Sequence, residues 1–238
     1  MISRRTGWFP TRLGLFLLFA LLVAPVAWWW NCGETYLSLT KRLSPEVLAV
    51  EGWIGYDGIR AAAAEFKEHG YRYVVTTGSE ASERWDRQHS SYAEMAQHEL
   101  VRSGVPPDKI IVAIPGDYET QRTYDSDVAA WRALQTNGIH PKTLNVFTWG
   151  PHARRSWMVF SKIAPPETKV GIIEWVPPGY RSGPWWRSSE RAKELLSETA
   201  GYLYELFFDS GRAARLSVNP ATHDLAQRSD LEQGVAAH

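Results

Sequence analysis

His152 and Arg155 stand three residues apart just past the Gly150-Pro151 turn, and Arg122-Thr123-Tyr124-Asp125-Ser126 occupies the matching place one unit earlier in the chain. On a helix, residues at i and i+3 share a face, so both members of the pair can address one group at that helix's N-terminus. An imidazole, two guanidinium groups and free backbone N–H groups suit an anion such as phosphate, because charge-assisted, bidentate hydrogen bonds are the strong ones. The other reading pairs Arg122 and Arg155 with Asp125, Asp127 or Glu94 as surface or ion-pair residues. Glu94, in Ser91-Tyr92-Ala93-Glu94, belongs to a first helical turn, where a carboxylate caps favourably. Its alternative is catalytic: orienting an arginine or acting as general base on a water. Gly52, Gly78 and Ser79 each follow an apolar run, where glycine allows close backbone approach to a ligand or simply turns the chain.

Other chemistries lack their signatures. Glu94 and His98 are spaced i,i+4 with His89 nearby, but no HExxH or cysteine cluster accompanies them, and no metal is expected. There is no GxSxG elbow, Walker loop or GxGxxG fingerprint, which argues against a standard hydrolase, a P-loop NTPase or a dinucleotide enzyme and leaves the cofactor unknown.

Positioning these residues requires strands that end beside them, and the chain supplies five candidates. Short apolar runs at Val47–Val50, Tyr73–Thr77, Ile110–Ile114, Leu144–Thr148 and Val170–Ile173 alternate with helical stretches. The helices are expected over Ile59–His69, about Ser91–Ser103, up to about Thr136, around Arg154-Arg155-Trp157, and after an N-cap at Ser188. Alternation of this kind predicts an α/β fold with a parallel sheet, in which ligands bind beyond the carboxyl ends of the strands. Ala192, Leu195, Leu196, Leu203, Leu206 and Phe207 are expected to form the buried face of the last helix. Trp185-Trp186 before it is expected to pack in the core, a membrane-facing aromatic patch being the other reading. The polar segment 209–238 reads as a loose tail.

The remaining N-terminal part reads as a retained anchor, a cleaved signal peptide being the other reading. Residues 13–30 are uncharged and apolar, and about 18 residues at 1.5 Å each span roughly 27 Å, near the thickness of the hydrocarbon layer. Arg4, Arg5 and Arg12 precede the run and Trp28-Trp29-Trp30 close it, the positive-inside and aromatic-belt pattern. The expectation is residues 1–12 in the cytoplasm, a retained single pass at 13–30 in the inner membrane, a connector at 31–46 and an extracytoplasmic domain at 47–208. No small-x-small cleavage site precedes the tryptophans. With 26 basic and 26 acidic side chains the chain lacks the electrostatic footprint of a nucleic-acid binder. Its single cysteine, Cys32, rules out an internal disulfide.

Taken in order, glycine-ended Val47–Gly52, Thr77-Gly78-Ser79, the S-x-A-E of Ser91–Glu94, Gly104-Val105-Pro106, Arg122-Thr123-x-x-Ser126 and the H-x-x-R of His152–Arg155 resemble the YdcF/SanA-like family (domain of unknown function 218). That resemblance covers about Val47–Phe208. It implies a three-layer Rossmann-like domain behind a membrane helix, with a pocket near these motifs and a link to lipid-carrier or peptidoglycan metabolism in the envelope. On this reading the ligand is an anionic small molecule or a lipid-linked phosphate, bound by Gly52, Gly78, Ser79, Arg122, Thr123 and Arg155, with Glu94 and His152 as catalytic candidates. The alternatives are a non-catalytic scaffold, or a binder of a nucleotide or of S-adenosylmethionine, which one cytosolic relative binds.

Overall fold

A computed structural model describes residues 11–80, 90–116 and 122–208. Arg4, Arg5, His89, the tail at 209–238 and the side chain of Arg122 therefore lie outside the described residues.

The strands are β1 (Val47–Glu51), β2 (Tyr73–Thr77), β3 (Ile110–Ala113), β4 (Thr143–Trp149) and β5 (Lys169–Trp175), all parallel in the order β3-β2-β1-β4-β5. The helices are α1 (Arg12–Leu37), α2 (Gly55–His69), α3 (Tyr92–Arg102), α4 (Arg122–Thr136), α5 (Ala153–Ile163) and α6 (Ser189–Phe208). The α/β reading holds, with boundaries shifted by a few residues.

β1 shows why the run Val47–Val50 carries no polar alternation. Successive side chains point to opposite faces, and both faces are covered. Val47 and Ala49 join Trp131, Leu134 and Phe160 under α4 and α5, while Leu48 and Val50 join Ile59, Phe66 and Leu100 under α2 and α3. The result is three layers, helix on sheet on helix.

Strand order reverses at β1: β2 and β3 extend the sheet to one side, β4 and β5 to the other. Between the carboxyl ends of β1 and β4 the following chain segments diverge to opposite faces and leave a crevice, the usual ligand position in this architecture. Glu51 ends β1, and the 3-10 turn Gly150–His152 follows β4, so topology alone makes Glu51 and His152 neighbours.

α1 continues seven residues past Trp30, to Leu37. Its apolar window has a mean hydropathy of 2.1 with none of it buried, long and apolar enough to cross a membrane. The segment expected as a connector is instead the helix's last two turns followed by a short stretch in which Lys41 bridges Ile172 of β5. Leu37 is fully buried with Trp185 and Leu195 in a small third core. Trp185 therefore meets the expectation of core packing, whereas Trp186 is 45% exposed.

Candidate functional site

The C-terminal ends of β1, β2 and β4 open into a hollow of about 610 Å³, closed on one side by α6. Gly78, Ser79, Thr123, His152 and Arg155, from three separate crossovers, all line it. At Gly78 the backbone takes φ +150° and a Cβ would lie 2.6 Å from Tyr92 Cβ, so the chain passes α3 there only without a side chain. Thr77 Oγ1 donates to Ser126 O at 2.7 Å, tying the end of β2 to the first turns of α4.

His152 is the centre of the arrangement. Its Nδ1 lies 3.1 Å from Glu198 Oε1 and its Nε2 lies 3.5 Å from Glu51 Oε2, so a carboxylate faces each edge of the ring. Trp53 meets the imidazole edge-on at 4.8 Å between centroids. Burial by itself disfavours the imidazolium, but Glu198, working against Arg155 and joined by Glu51, raises the His152 pKa to about 9. The two carboxylates thus favour the imidazolium, with Glu198 as the ion-pair partner at Nδ1. Arg155 Nη2 also lies 2.9 Å from Nδ1, and because a guanidinium only donates, Nδ1 is the acceptor of that hydrogen bond when the ring is neutral.

Arg155 makes a bidentate pair with Glu198, Nε to Oε2 at 2.8 Å and Nη2 to Oε1 at 3.1 Å, and its Nη1 donates to Thr123 Oγ1 at 2.8 Å. Gly201 makes room for it: a Cβ at that position would lie 2.9 Å from Arg155 Nε. Burial opposes charge on Glu198, but His152 and Arg155 hold its pKa well below the ordinary carboxylate range. Burial likewise opposes charge on Glu51, where His152 and the hydroxyls of Thr148 and Ser156 win and depress the pKa. Ser156 Oγ donates to Glu51 Oε1 at 2.7 Å and Thr148 Oγ1 to Oε2. Beside them Asp127 is fully buried, and neither carboxyl oxygen has a hydrogen-bond partner among the described residues. Burial, then Glu51, pushes its pKa well up and so favours the protonated acid beside these charged groups.

Two expected residues have other occupations. The Glu94 side chain is spent on a reciprocal capping box, its Oε2 accepting from Ser91 N at 3.1 Å and Ser91 Oγ at 3.0 Å while Ser91 Oγ accepts from Glu94 N at 3.2 Å. Those bonds lower its pKa, and it is not among the residues that line the hollow. Gly52 does not line it either. A Cβ there would sit 2.2 Å from the carbonyl oxygen of Tyr92, so Gly52 serves the packing of the β1–α2 link on α3. Arg122, expected in the loop before the helix, is the first residue of α4, with its side chain outside the described residues.

Comparison of the chain with protein-family models, curated proteins and solved structures finds no match. The site must therefore be read from its own geometry.

Glu198 is the residue of this site that sequence reading misses, and Glu51 is singled out there only by its place after the first strand. Glu51 is visible as the end of a strand but carries no motif. Glu198 belongs to α6, where the signal lies in charge spacing: Arg191, Glu198 and Glu205 recur every seven residues, and with Leu195 they form the side that faces the domain. Of the residues expected on the buried face, Leu195 is buried, whereas Leu196, Leu203, Leu206 and Phe207 are 43–74% exposed. The helix is turned so that polar partners meet His152, Arg155 and Lys162. Among the described residues no group of three His, Cys, Asp or Glu is placed to hold a metal ion, and the two carboxylates at His152 lie on opposite edges of its ring.

Proposed function

We propose that the domain binds a phosphate or pyrophosphate group in this hollow and that His152 carries the proton in its hydrolysis or transfer. The observation that carries the reading is the buried imidazole ring of His152 held between Glu51 and Glu198 at the strand-order reversal. A charged His152 can donate a proton to a leaving oxygen, and the two carboxylates favour the charged form. Thr123, Tyr124 and Ser126 from α4, Tyr92 from α3, and His152 and Arg155 at the start of α5 line the cavity. Three helix N-termini thus turn toward it and offer backbone donors to an anion, beside Glu51, Glu198 and Glu205, which also line the hollow. The substrate class we favour is a lipid-carrier or cell-wall precursor reaching the domain from the membrane that α1 anchors it to. The basic residues before α1 and the tryptophans that close its apolar run support an inner-membrane protein with its domain outside the cytoplasm.

The test uses the full chain in detergent micelles, with inorganic phosphate, pyrophosphate and a polyprenyl pyrophosphate as probes. A ligand at about one hundred times its Kd stabilises the fold by about 2.7 kcal/mol, a readily measured rise in Tm. Arg155→Ala abolishes that rise. His152→Gln keeps binding but lowers phosphate release by about 10²–10⁴-fold. No rise in Tm and no phosphate release with any of the three removes the reading.

One observation favours a second reading. Glu198 and Thr123 already occupy Arg155, so the network is complete without a ligand, as in a non-catalytic scaffold module. On that reading Arg155→Ala lowers Tm but leaves envelope function intact wherever the protein still accumulates.

A further inference from the structure

The loop that precedes α6 touches the one point on α1 whose depth in a bilayer the sequence fixes. Trp30 closes the apolar run, so when α1 spans a membrane its ring lies at the boundary between hydrocarbon and headgroups. Trp185 and Trp186 pack on that ring, with centroids 4.8 and 5.2 Å from it. Trp185 Nε1 also donates to Trp30 O at 2.9 Å. Side chains in contact with Trp30 must sit at its level.

The contact is not made by a swinging linker. α1 runs unbroken into the domain, where Glu34 forms an ion pair with the buried Arg191 at 2.7 Å and Tyr36 OH meets Tyr202 OH at 2.9 Å. Arg191 Nη1 in turn donates to Gly183 O at 3.0 Å, fixing the start of the tryptophan loop to the same lock. Trp186 is 45% exposed and Trp28 49% exposed, although tryptophan is the side chain that gains most from a place at a membrane interface. Arg187, exposed beside Trp186, supplies a cation at the height of lipid phosphates.

We infer that the loop Gly183–Arg187 is a second membrane contact, in which Trp186 inserts into the bilayer interface next to Trp28 and Trp30 and sets the domain directly on the lipid surface. The occupant of this aromatic patch is the bilayer that holds α1, because the patch is continuous with the end of the span. The inference rests on α1 being a span and is independent of what the hollow binds.

The test is site-directed spin labelling of the full chain in lipid nanodiscs. In a Cys32→Ser background, which removes the single cysteine, one label at a time is placed through Ala20→Cys, Trp28→Cys, Trp186→Cys and Asp108→Cys. Asp108 is a highly exposed site just before β3, at the far edge of the sheet from β5. Accessibility to oxygen and to a water-soluble nickel chelate gives the depth of each label. The expected result is one interfacial depth for positions 186 and 28, a deeper one for 20 and a water-like value for 108. In unlabelled protein, Trp186→Phe lowers the quenching of tryptophan emission by brominated lipids. A water-like value at 186 with 20 immersed overturns the inference and leaves the span intact, whereas water-like values at 20 and 186 together overturn both. Spin–spin broadening at 186 that disappears on dilution with unlabelled chain assigns the patch to a second copy of the protein and also overturns the inference.

Discussion

At the scale of single residues, His152 makes the site sensitive to pH, and the sign follows from its surroundings. Its pKa rises on folding from an ordinary 6.5 to about 9. The stability it contributes is therefore complete below about pH 6.5 and is lost as pH climbs through about 9. The depressed pKa of Glu198 works on the other side: its contribution is present above the ordinary carboxylate range and is lost in acid. Thermal denaturation across pH should show a plateau between these limits and a decline above about pH 6.5. In His152→Gln the alkaline decline should shrink. The plateau should fall by roughly 3–5 kcal/mol, because buried Glu51 loses the cation beside it while Glu198 keeps Arg155. Asp127→Asn should behave oppositely, preserving or raising Tm near pH 8, since a buried acid with a raised pKa costs stability as pH increases. Much of the site was legible at this scale. Gly78, Ser79, Thr123, His152 and Arg155 follow strands, and following a strand is what brings them together. Glu94 misled because a carboxylate in a first helical turn reads the same whether it caps the backbone or addresses a ligand.

Elements carry their own constraints. β1 and β2 both end close beneath the first turn of α3, and Gly52 and Gly78 are where they meet it. Gly52→Ala forces its methyl against a backbone carbonyl that cannot rotate away, so a loss of about 1–3 kcal/mol is expected in urea unfolding. The same substitution at Gly201 would meet only the movable Arg155 side chain, with a smaller loss of stability and a larger effect on ligand affinity. α6 was the element the sequence described least well. Its apolar residues suggested a buried stripe, yet the side that faces the domain carries Arg191, Glu198 and Glu205 beside Leu195. Hydrophobic periodicity assumes that a helix packs on apolar neighbours, whereas α6 packs on the cationic face formed by His152, Arg155 and Lys162.

Across the whole molecule, the junction between anchor and domain is a rigid joint. Arg191 is 5% exposed and paired with Glu34, and breaking a buried pair from one side costs about 3–5 kcal/mol. Glu34→Ala should therefore lower Tm by roughly 6–20 °C for a chain of this size. It should also speed amide exchange over residues 31–37, where a flexible connector would already exchange freely. Mass-spectrometric hydrogen exchange in nanodiscs would separate the two cases. Where α1 spans a membrane, this rigidity fixes the height at which the hollow stands above the lipid.

The sequence by itself determined the strands, their glycine-ended turns, the apolar N-terminal helix and the set of crossovers that carry chemistry. These depend on local composition and periodicity, which a linear chain displays. Tertiary structure alone decided that Glu51 and Glu198 flank His152, that Glu94 caps its own helix, and that Trp186 lies against Trp30. Each of these is a meeting between segments far apart in the chain. Which side chains meet is set by the strand order and by the rotation of α6 about its axis, neither of which is written in any single stretch of residues.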